Sequence, residues 1–456
     1  MKIEHDIEWN DVDLRFIPIK TRVPLKFGSE VLDSVTCARV CVGVRKVNGV
    51  YAQGLGETPL SVQWVWPSDV SYQERYKAML DFTESLAKNF NSDLCVGHAL
   101  EIGHKFVFDR VPKELERFNN EKRRGCEPMP WLAALVCASP FDIALHDAYG
   151  VANNTPTYQS YSSTFLNDDL NNFLDPAEGT EVLFDGKVPS DYLELNPSDK
   201  IPVWHLVGGL DPLNKSELKG DEPDDGYPVH LEEWIQRDGL NCLKIKLRGN
   251  DSIWDYERLV SVGRIAESMN VEYLTTDFNC MVKDPQYVNQ ILDRLKDEFP
   301  SAWEKILYVE QPFPYDLPNN KINVNSLSGR KPLFMDESAH DWKHVRLGLK
   351  LGWTGVALKT CKTQTGALLS LCWAKAHGMD LMVQDLTNPM LAQIPHVLLG
   401  AHTGTIMGVE SNAMQFYPEA SNREATIHPG LYRRRNGELD LSTLKGAGFG
   451  YQISFE

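Results

Sequence analysis

The sequence lacks an excess of positive charge. Its 46 lysines and arginines are outnumbered by 63 aspartates and glutamates, which gives a formal net charge of -17 at pH 7. Proteins that bind nucleic acid or an anionic membrane surface need a face rich in lysine and arginine, which neutralises phosphate groups. The composition therefore argues against both partners and favours a well-solvated globular protein.

Paired cysteines and long apolar runs are also missing. The nine cysteines are odd in number and form no Cys-x-x-Cys pair, which argues against a disulfide framework and a structural zinc site. The first six residues contain no apolar core of a signal peptide. No stretch approaches the roughly 20 apolar residues of a membrane span. These absences predict a cytoplasmic protein.

The first 125 residues are typical of an α+β domain. Residues 35–44 are rich in β-branched side chains, and the turn at Asn48-Gly49 that follows them predicts a hairpin. Apolar positions at helical spacing predict a helix over residues 71–90.

The segment between this domain and residue 200 has two parts. Residues 131–150 predict a buried helix, which Pro140 is expected to divide into two pieces joined by a kink. Residues 158–200 are rich in Asn, Asp and Ser and have no clear period, so they predict an irregular insertion with at most a short helix.

From residue 201 the sequence becomes regular, and short β-rich runs alternate with amphipathic stretches. The runs are 201–208, 242–247, 271–278, 306–309, 332–335, 355–358, 379–383 and 405–409. Eight such strands within about 210 residues favour a parallel barrel. A doubly wound sheet would carry a glycine-rich phosphate turn after its first strand, and Gly208-Gly209 is not such a turn. The pattern stops after Glu410, and residues 415–456 are predicted to pack on the N-terminal domain.

Charged and amide side chains recur where these predicted strands end. They are Lys244, Lys246, Asp277, Asn279, Glu310, Asp336, Glu337 and Lys359. The carboxyl ends of barrel strands share one face, where loops build active sites. Residues two apart on a strand point the same way, so Lys244 and Lys246 share a face. Asp336 and Glu337 point to opposite sides, so only one of them is expected to act directly.

Three of these residues are carboxylates on successive strands. Asp277, Glu310 and Asp336 would repel one another if they converged, and the repulsion would raise their pKa values. A hard divalent cation relieves this, and Mg²⁺ accepts carboxylate oxygens while it keeps open positions for water or substrate.

In this order and spacing, the motifs resemble those of the enolase superfamily, and within it the mandelate racemase/muconate-lactonising-enzyme family. The resemblance covers residues 20–150 and 200–450. The matching pieces are Lys244-Ile245-Lys246, Asp277-Phe278-Asn279, Glu310-Gln311-Pro312, Asp336-Glu337-Ser338, the strand that ends in Lys359, and the helix at 142–147 before the barrel.

The resemblance implies an α/β fold with a modified (β/α)7β barrel of the TIM type. We expect an N-terminal α+β capping domain over 1–125, the barrel over 126–414 with the insertion at 158–200, and a tail over 415–456 that completes the cap. The family's loops that close over the barrel mouth match 26–28 and 54–66.

The resemblance also implies Mg²⁺, with Mn²⁺ as a substitute, held by Asp277, Glu310 and Asp336. Lys246 and Lys359 would be acid/base groups on opposite faces of the substrate, and Lys244 would support Lys246. A proton α to a carboxylate is very weakly acidic, and its removal leaves an enediolate whose charge a bound metal stabilises. The lysine base must be neutral, and a neighbouring ammonium group lowers its pKa.

Several further residues are candidates for contact with substrate or with the ligands. They are Asn279, Glu337, Gln384, Asp385, Glu410, Trp64 and Trp66. Ordinary strand-end polar groups are an equally good interpretation of Gln384, Asp385 and Glu410. The two tryptophans fit either an apolar wall of the site or an oligomer contact. Lys362 falls past the end of its strand and is expected to be exposed.

Members of the family catalyse more than one type of reaction. The mandelate-racemase branch pairs a histidine with an aspartate, whereas the sixth barrel strand here ends in Lys359, and His377 and His402 are expected to be structural. The first hypothesis is therefore a two-lysine racemase or epimerase of a carboxylic acid or amino-acid derivative. A lyase that performs β-elimination and a cycloisomerase are alternatives with the same site. A catalytically silent barrel kept for binding is the alternative from another class, and a homo-oligomer is expected.

Overall fold

The computed structural model describes residues 4–27, 30–90 and 96–453. Gly28 of the first predicted cap loop and Cys95 lie outside the described residues. No described helix combines the length and the apolar character needed to cross a membrane.

The N-terminal cap contains a four-stranded antiparallel sheet in the order β3-β2-β1-β4. The strands are β1 Ile7–Phe27, β2 Glu30–Lys46, β3 Tyr51–Pro59 and β4 Val96–Gly97. The predicted hairpin is confirmed, since β2 and β3 pair across the turn at Asn48-Gly49. The long strand β1 has no counterpart among the elements predicted from the sequence.

Among the described residues, five α-helices follow within or after the cap, and a π-helical turn, Phe106–Arg110, joins the third to the fourth. The α-helices are α1 Val62–Val65, α2 Tyr72–Lys88, α3 Ala99–Lys105, α4 Val111–Lys122 and α5 Trp131–Ala152. The predicted helix over 71–90 is confirmed as α2, which begins after Ser71, whose side chain accepts a hydrogen bond from the Glu74 backbone N–H. A serine at this position stabilises the first turn because it satisfies a backbone donor that has no partner within the helix.

Helix α5 is a single helix, so the expected division at Pro140 is wrong. Proline removes only one intrahelical hydrogen bond, and burial on every side from Leu132 to Gly150 holds both flanks in place. The helix lies directly against β3 at two glycines. A side chain at Gly54 would meet the Ala148 backbone N at 2.0 Å, and one at Gly56 the Pro140 carbonyl O at 2.0 Å. Glycine is therefore required at both positions.

Eight parallel strands close into a barrel, which confirms the predicted fold class. They are β5 Lys200–Val207, β6 Cys242–Lys246, β7 Tyr273–Asp277, β8 Ile306–Glu310, β9 Leu333–Met335, β10 Gly355–Leu358, β11 Asp380–Val383 and β12 Val409–Glu410. Pairing of β12 with β5 closes the ring. Trp204, Cys242, Tyr308, Phe334 and Met382 pack together as one buried apolar cluster.

Helices alternate with the barrel strands. They are α6 Leu231–Asp238, α7 Ser252–Ser268, α8 Pro285–Glu298, α9 Pro300–Lys305, α10 Asn325–Ser328, α11 Trp342–Leu351, α12 Gln364–Ala376 and α13 Gln393–Thr403. This alternation places the carboxyl ends of all eight strands on one face.

The predicted insertion at 158–200 is irregular as far as β5. It contains short 3₁₀ turns and buries apolar side chains such as Tyr161, Leu170 and Phe184. Trp373 of α12 donates from its indole Nε1 to the Asp175 carbonyl at 2.9 Å. The insertion is thus packed against the outside of the barrel.

The C-terminal tail contains α14 Ala413–Phe416, α15 Asn422–Ile427, α16 Pro429–Tyr432 and β13 Glu438–Asp440. Strand β13 pairs antiparallel with β5 of the barrel. Glu424 contacts Arg39 of β2 at 3.4 Å, and Asp147 of α5 accepts hydrogen bonds from the backbones of Leu55 and Phe449. The tail therefore touches the barrel as well as the cap. The domain boundaries at 125 and 414 stay a prediction.

Candidate active site

The predicted residues meet at the carboxyl ends of the barrel strands. In the parallel register, Lys246 of β6 lies beside Asp277 of β7, which lies beside Glu310 of β8. The other members follow around the ring: Asp336 and Glu337 after β9, Lys359 after β10, Gln384 and Asp385 after β11, and Glu410 at the end of β12.

Lys244 is the centre of this arrangement. Its ammonium nitrogen Nζ lies 2.7 Å from Glu310 Oε1, 2.6 Å from Gln384 Oε1 and 3.1 Å from Glu410 Oε2. Burial alone would lower the pKa of Lys244, but the surrounding carboxylates raise this pKa well above its ordinary value. Lys244 is therefore a fixed buried cation, as its predicted supporting role requires.

Lys246 and Asp277 form the next pair. The two side chains contact each other at 2.5 Å through Lys246 Nζ and Asp277 Oδ2. Burial raises the pKa of the Asp277 carboxyl, but the charges of Lys246 and Lys244 outweigh it and hold the pKa below its usual range. The opposite holds for Glu310, where burial and the charge of Asp277 raise the pKa well above its ordinary value.

Asp336 faces two lysines. Lys359 Nζ lies 3.2 Å from Asp336 Oδ2, and Lys362 Nζ lies 3.5 Å from Asp336 Oδ1. Lys362 also donates to the backbone carbonyls of Asp336 at 2.5 Å and Ala339 at 3.2 Å. Lys362 is only 3 % exposed, so the expected exposure of this residue is wrong. The 3₁₀ turn Thr360–Lys362 directs its side chain back beneath the site.

Glu337 connects the barrel to the cap. Its Oε1 accepts a hydrogen bond from the indole Nε1 of Trp64 at 3.0 Å and a longer one from Asn279 Nδ2 at 3.5 Å. Burial, together with the charges of Asp336 and Asp277, raises the pKa of Glu337 to about 7. Both residues of the Asp336-Glu337 pair thus reach the site, and the expectation that only one of them acts directly stays a prediction.

The two tryptophans have different surroundings. Trp64 lines the site together with Lys244, Lys246 and Lys359. Trp66 instead donates its indole N–H to Glu127 at 2.6 Å and is 1 % exposed within the cap. Because Trp66 is buried within a single chain, the structure does not place it at the site or on a surface open to another subunit.

Residues at the carboxyl ends of strands β11 and β12 complete the ring of polar side chains. Gln384 Nε2 donates to Glu310 Oε2 at 2.6 Å and to the Tyr308 hydroxyl at 2.7 Å. Lys359 donates to the Asp385 backbone carbonyl at 2.7 Å. Sequence analysis did not identify Tyr308, although it lies two residues before Glu310 and so shares its face of the strand.

A small cavity of about 40 Å³ lies at the centre of this ring. Cap residues Leu25 and Leu32 line it together with the barrel lysines. A volume of this size holds only a few water molecules. A larger cavity of about 520 Å³ lies between Arg22–Pro24 of β1 and the segment after β5, and no residue of the lysine and carboxylate set lines it.

The buried charges of the ring do not balance. Six carboxylates surround four ammonium groups: Asp277, Glu310, Asp336, Glu337, Asp385 and Glu410 against Lys244, Lys246, Lys359 and Lys362. If all are ionised, the set carries two excess negative charges. The raised pKa values of Glu310 and Glu337 allow protons to offset this charge, and a divalent cation would offset it equally. Among the described residues, Asp336 Oδ1 has no hydrogen-bond partner. Oxygen donors of this kind suit Mg²⁺.

The same side chains are not arranged as a closed ligand shell. Within the described ranges, no group of three or more His, Cys, Asp or Glu side chains is grouped as it would be around a metal ion. Lysine ammonium groups contact Asp277, Glu310 and Asp336 instead. The residues therefore fit a divalent cation by charge and donor type, and binding requires these lysines to give way.

Comparison with known proteins decides the family. A family model described as enolase C-terminal domain-like matches residues 227–456, which is half of the chain. The chain belongs to this family. The match begins before α6 and covers every barrel strand from β6 to β12, so it includes all the barrel residues of the predicted site. It confirms the resemblance to the enolase superfamily. No curated protein matches the sequence.

Solved structures resemble this enolase-superfamily chain over its whole length. A dipeptide epimerase from Enterococcus faecalis, complexed with Mg and the dipeptide L-Leu-L-Tyr, has a TM-score of 0.61 at 16% identity, covering 97% of this chain and 99% of the other. An N-succinyl Arg/Lys racemase from Bacillus cereus has a TM-score of 0.60 at 16% identity, covering 99% and 95%.

A muconate lactonizing enzyme from Pseudomonas fluorescens, complexed with muconolactone, has a TM-score of 0.59 at 13% identity, covering 98% and 96%. At these identities the likeness shows the capped barrel fold alone.

Proposed function

We propose that this enolase-superfamily chain is a Mg²⁺-dependent enzyme that removes the proton α to a substrate carboxylate, and that it is a racemase or epimerase of a carboxylic acid or amino-acid derivative. One observation carries this proposal. Lys246 ends β6 and Lys359 follows β10, and these strands stand four apart in a closed ring of eight. Strands four apart in such a ring lie opposite each other across its mouth.

The three carboxylates proposed to hold the metal lie between the two lysines. Asp277, Glu310 and Asp336 come from β7, from β8 and from the residue after β9. Mg²⁺ bound there would stabilise the negative charge that develops on the substrate carboxylate as the proton leaves. Mn²⁺ offers the same charge to the same oxygen donors and is proposed as a substitute.

The chain's own residues divide the proton transfer between two faces. A base must lie within hydrogen-bond reach of the proton that it takes, and one lysine cannot satisfy this on both faces of a planar intermediate. Lys246 would remove the proton from one stereoisomer while Lys359 delivers a proton to the opposite face, and the reverse reaction exchanges their roles. Lys244 holds Glu310, Gln384 and Glu410 in place through its hydrogen bonds.

The similar structures support a substrate with a carboxylate. Those named above are described as an epimerase of dipeptides, a racemase of N-succinyl amino acids and a lactonizing enzyme. Dipeptides and N-succinyl amino acids carry carboxylates, and we propose a substrate of this chemical class for this chain.

A screen of carboxylates in D₂O with Mg²⁺, read by mass spectrometry, tests the proposal. We expect deuterium at the α-carbon of both stereoisomers of the substrate without net consumption. Lys246→Ala should leave exchange of one isomer and lower the other by roughly 10²- to 10⁴-fold, and Lys359→Ala should do the reverse. A dehydrated or cyclised product would replace the racemase with a lyase or a cycloisomerase. Absence of any exchange, together with absence of Mg²⁺ binding, would favour a silent barrel.

The homo-oligomeric state and the cytoplasmic location are further proposals from the sequence. Light scattering of the purified chain tests the first, and imaging of a tagged chain in its own cell tests the second.

A further inference from the structure

The cap contributes one side chain to the lysines of the barrel, and that side chain is Trp64. Trp64 belongs to the short helix α1 and is 8 % exposed. Lys359 Nζ lies over its ring at 5.2 Å from the ring centre, and Lys362 Nζ lies over it at 5.6 Å. A single cap residue therefore contacts two of the four lysine ammonium groups of the site.

The indole N–H of Trp64 fixes the orientation of the ring. It donates to Glu337 Oε1 at 3.0 Å. The pair is well sheltered from solvent, since Glu337 is 4 % exposed and Trp64 nearly as buried. Trp64 thus spans the end of β9 and the end of β10, and its ring cannot turn without breaking this hydrogen bond.

The contact between Trp64 and Lys359 matters for the reaction, because Lys359 is one of the two proposed acid/base groups. A cation over an aromatic face is attracted to the ring, and the attraction is stronger when both groups are removed from water. Lys359 has two other contacts, the Asp385 carbonyl and Asp336 Oδ2. Both lie on the barrel, so Trp64 is the contact with Lys359 that depends on the position of the cap.

We propose that Trp64 is a positioning residue, which fixes the location of the Lys359 ammonium group through its ring and its hydrogen bond to Glu337. The catalytic consequence of this rests on the proposed function. Lys246 has no such contact with Trp64 in the structure; its short contact is with Asp277. Closing the cap would therefore align one of the two acid/base lysines and leave the other unaffected.

NMR of the lysine side chains tests the position of Lys359 relative to the Trp64 ring, and it needs no substrate. Protons above an aromatic face resonate upfield, so in protein labelled with ¹³Cε-lysine the Hε signals of Lys359 and Lys362 should lie upfield of the ordinary lysine position. Lys359→Arg and Lys362→Arg assign the two signals. Trp64→Leu should move both downfield, and Trp64→Phe should leave part of the shift. Unchanged Lys359 and Lys362 signals in Trp64→Leu would overturn the proposal.

Trp66→Leu is the matched control. Trp66 lies two residues away and is even more buried, but it contacts Glu127 and Arg123 rather than lysines. The Trp66→Leu variant should destabilise the cap without moving the Hε signal of Lys359. A similar shift in Trp66→Leu would mean that the signal reports loss of cap structure, and this would also overturn the proposal.

Deuterium exchange measured separately for each substrate isomer tests the effect of Trp64 on the reaction at Lys359. Because small displacements of a catalytic group reduce rates steeply, Trp64→Leu should slow exchange of the isomer served by Lys359 by roughly 10- to 100-fold and change the other by less than about twofold. Equal slowing of both isomers would contradict a positioning role and indicate an apolar wall for substrate. If wild type exchanges no carboxylate, the proposed function fails, and the lysine signals alone decide where Trp64 holds Lys359.

Discussion

Two buried charged regions of this chain differ in how many carboxylates they bring together. The barrel mouth has six carboxylates and four lysines, contributed by successive strand ends. The second region, here the cap–tail cluster, consists of Arg39 of β2, Glu57 of β3 and Glu424 of α15. Arg39 Nε lies 2.5 Å from Glu57 Oε2, and Arg39 Nη2 lies 3.4 Å from Glu424 Oε1.

The excess charge differs by one between the two regions. The cap–tail cluster has one guanidinium for two carboxylates, which leaves a single negative charge. Glu57 Oε1 and Glu424 Oε2 have no hydrogen-bond partner among the described residues. Burial raises the pKa of Glu57 to about 7, although Arg39 opposes this rise. With every group ionised, the cap–tail cluster would carry one excess negative charge and the barrel mouth two. Both regions contain carboxyl groups with a raised pKa, Glu57 in the first and Glu310 and Glu337 in the second, so protonation can offset the excess in either. The comparison teaches that the regions differ in their oxygen donors, because only the barrel mouth gathers carboxylates from successive strand ends, the set proposed to hold a divalent ion.

The largest expected effect comes from removing the central lysine of the barrel mouth. Lys244→Met leaves Glu310 and Glu410 buried without their cation, and breaking a buried ion pair in this way costs about 3–5 kcal/mol of unfolding free energy. Urea denaturation of wild type and Lys244→Met measures this loss of unfolding free energy. Lys77→Met is the control, because Lys77 pairs with Asp81 on the surface and should lose less than about 1 kcal/mol. Similar losses in both variants would remove the distinction between the buried ring and an ordinary ion pair.

Metal binding should distinguish the two regions directly. Saturating Mg²⁺ added to EDTA-treated protein should raise Tm, because a ligand bound only by the folded state stabilises it by about 2.7 kcal/mol at 100 times Kd. A variant with Asp277→Asn, Glu310→Gln and Asp336→Asn should lose this rise. Glu57→Gln should keep it. A rise that persists in the triple variant would place the ion elsewhere.

The cap–tail cluster should instead respond to pH. The pKa of Glu57 is raised in the folded state, so its contribution to stability is fully present below the unfolded pKa near 4.5 and is lost as pH rises through about 7. Relative to Glu57→Gln, wild type should therefore lose about 1 kcal/mol per pH unit over this window.

Urea denaturation at pH 5, 6, 7 and 8 measures this difference. Other groups with raised pKa values, such as Asp142 and Asp147, contribute equally to both proteins and cancel. A constant difference between wild type and Glu57→Gln would show that the cluster holds no titrating proton.

The repeating part of the molecule was predictable from the sequence. All eight barrel strands follow from alternation of β-rich and amphipathic runs, because a buried parallel strand needs a continuous apolar stretch. The strand-end residues follow from the same register. Strand β1 was not predicted, since charged residues and two prolines, Pro18 and Pro24, obscure its pattern. Its pairing with β2 overrides these local preferences.

Side-chain direction at the edges of the elements was not predictable. Lys362 appeared to lie past its strand, but a three-residue 3₁₀ turn returns it to the interior. Trp64 lies within helix α1, whereas Trp66 follows its last residue in a non-helical conformation, and the two indoles donate to Glu337 and Glu127 on different sides of the cap. Helix α1 has only four residues, too few to produce an apolar period in the sequence.

The antiparallel pairing of β13 with β5 has a consequence for biosynthesis. Strand β5 is the first barrel strand to emerge from the ribosome, yet it pairs with β12 and with β13. Roughly 200 further residues must be translated before these partners exist, which takes about 10–40 s at ordinary elongation rates. During that time an edge of β5 is open to pairing with other chains. We expect nascent chains of this protein to depend on chaperones until residue 440 has emerged.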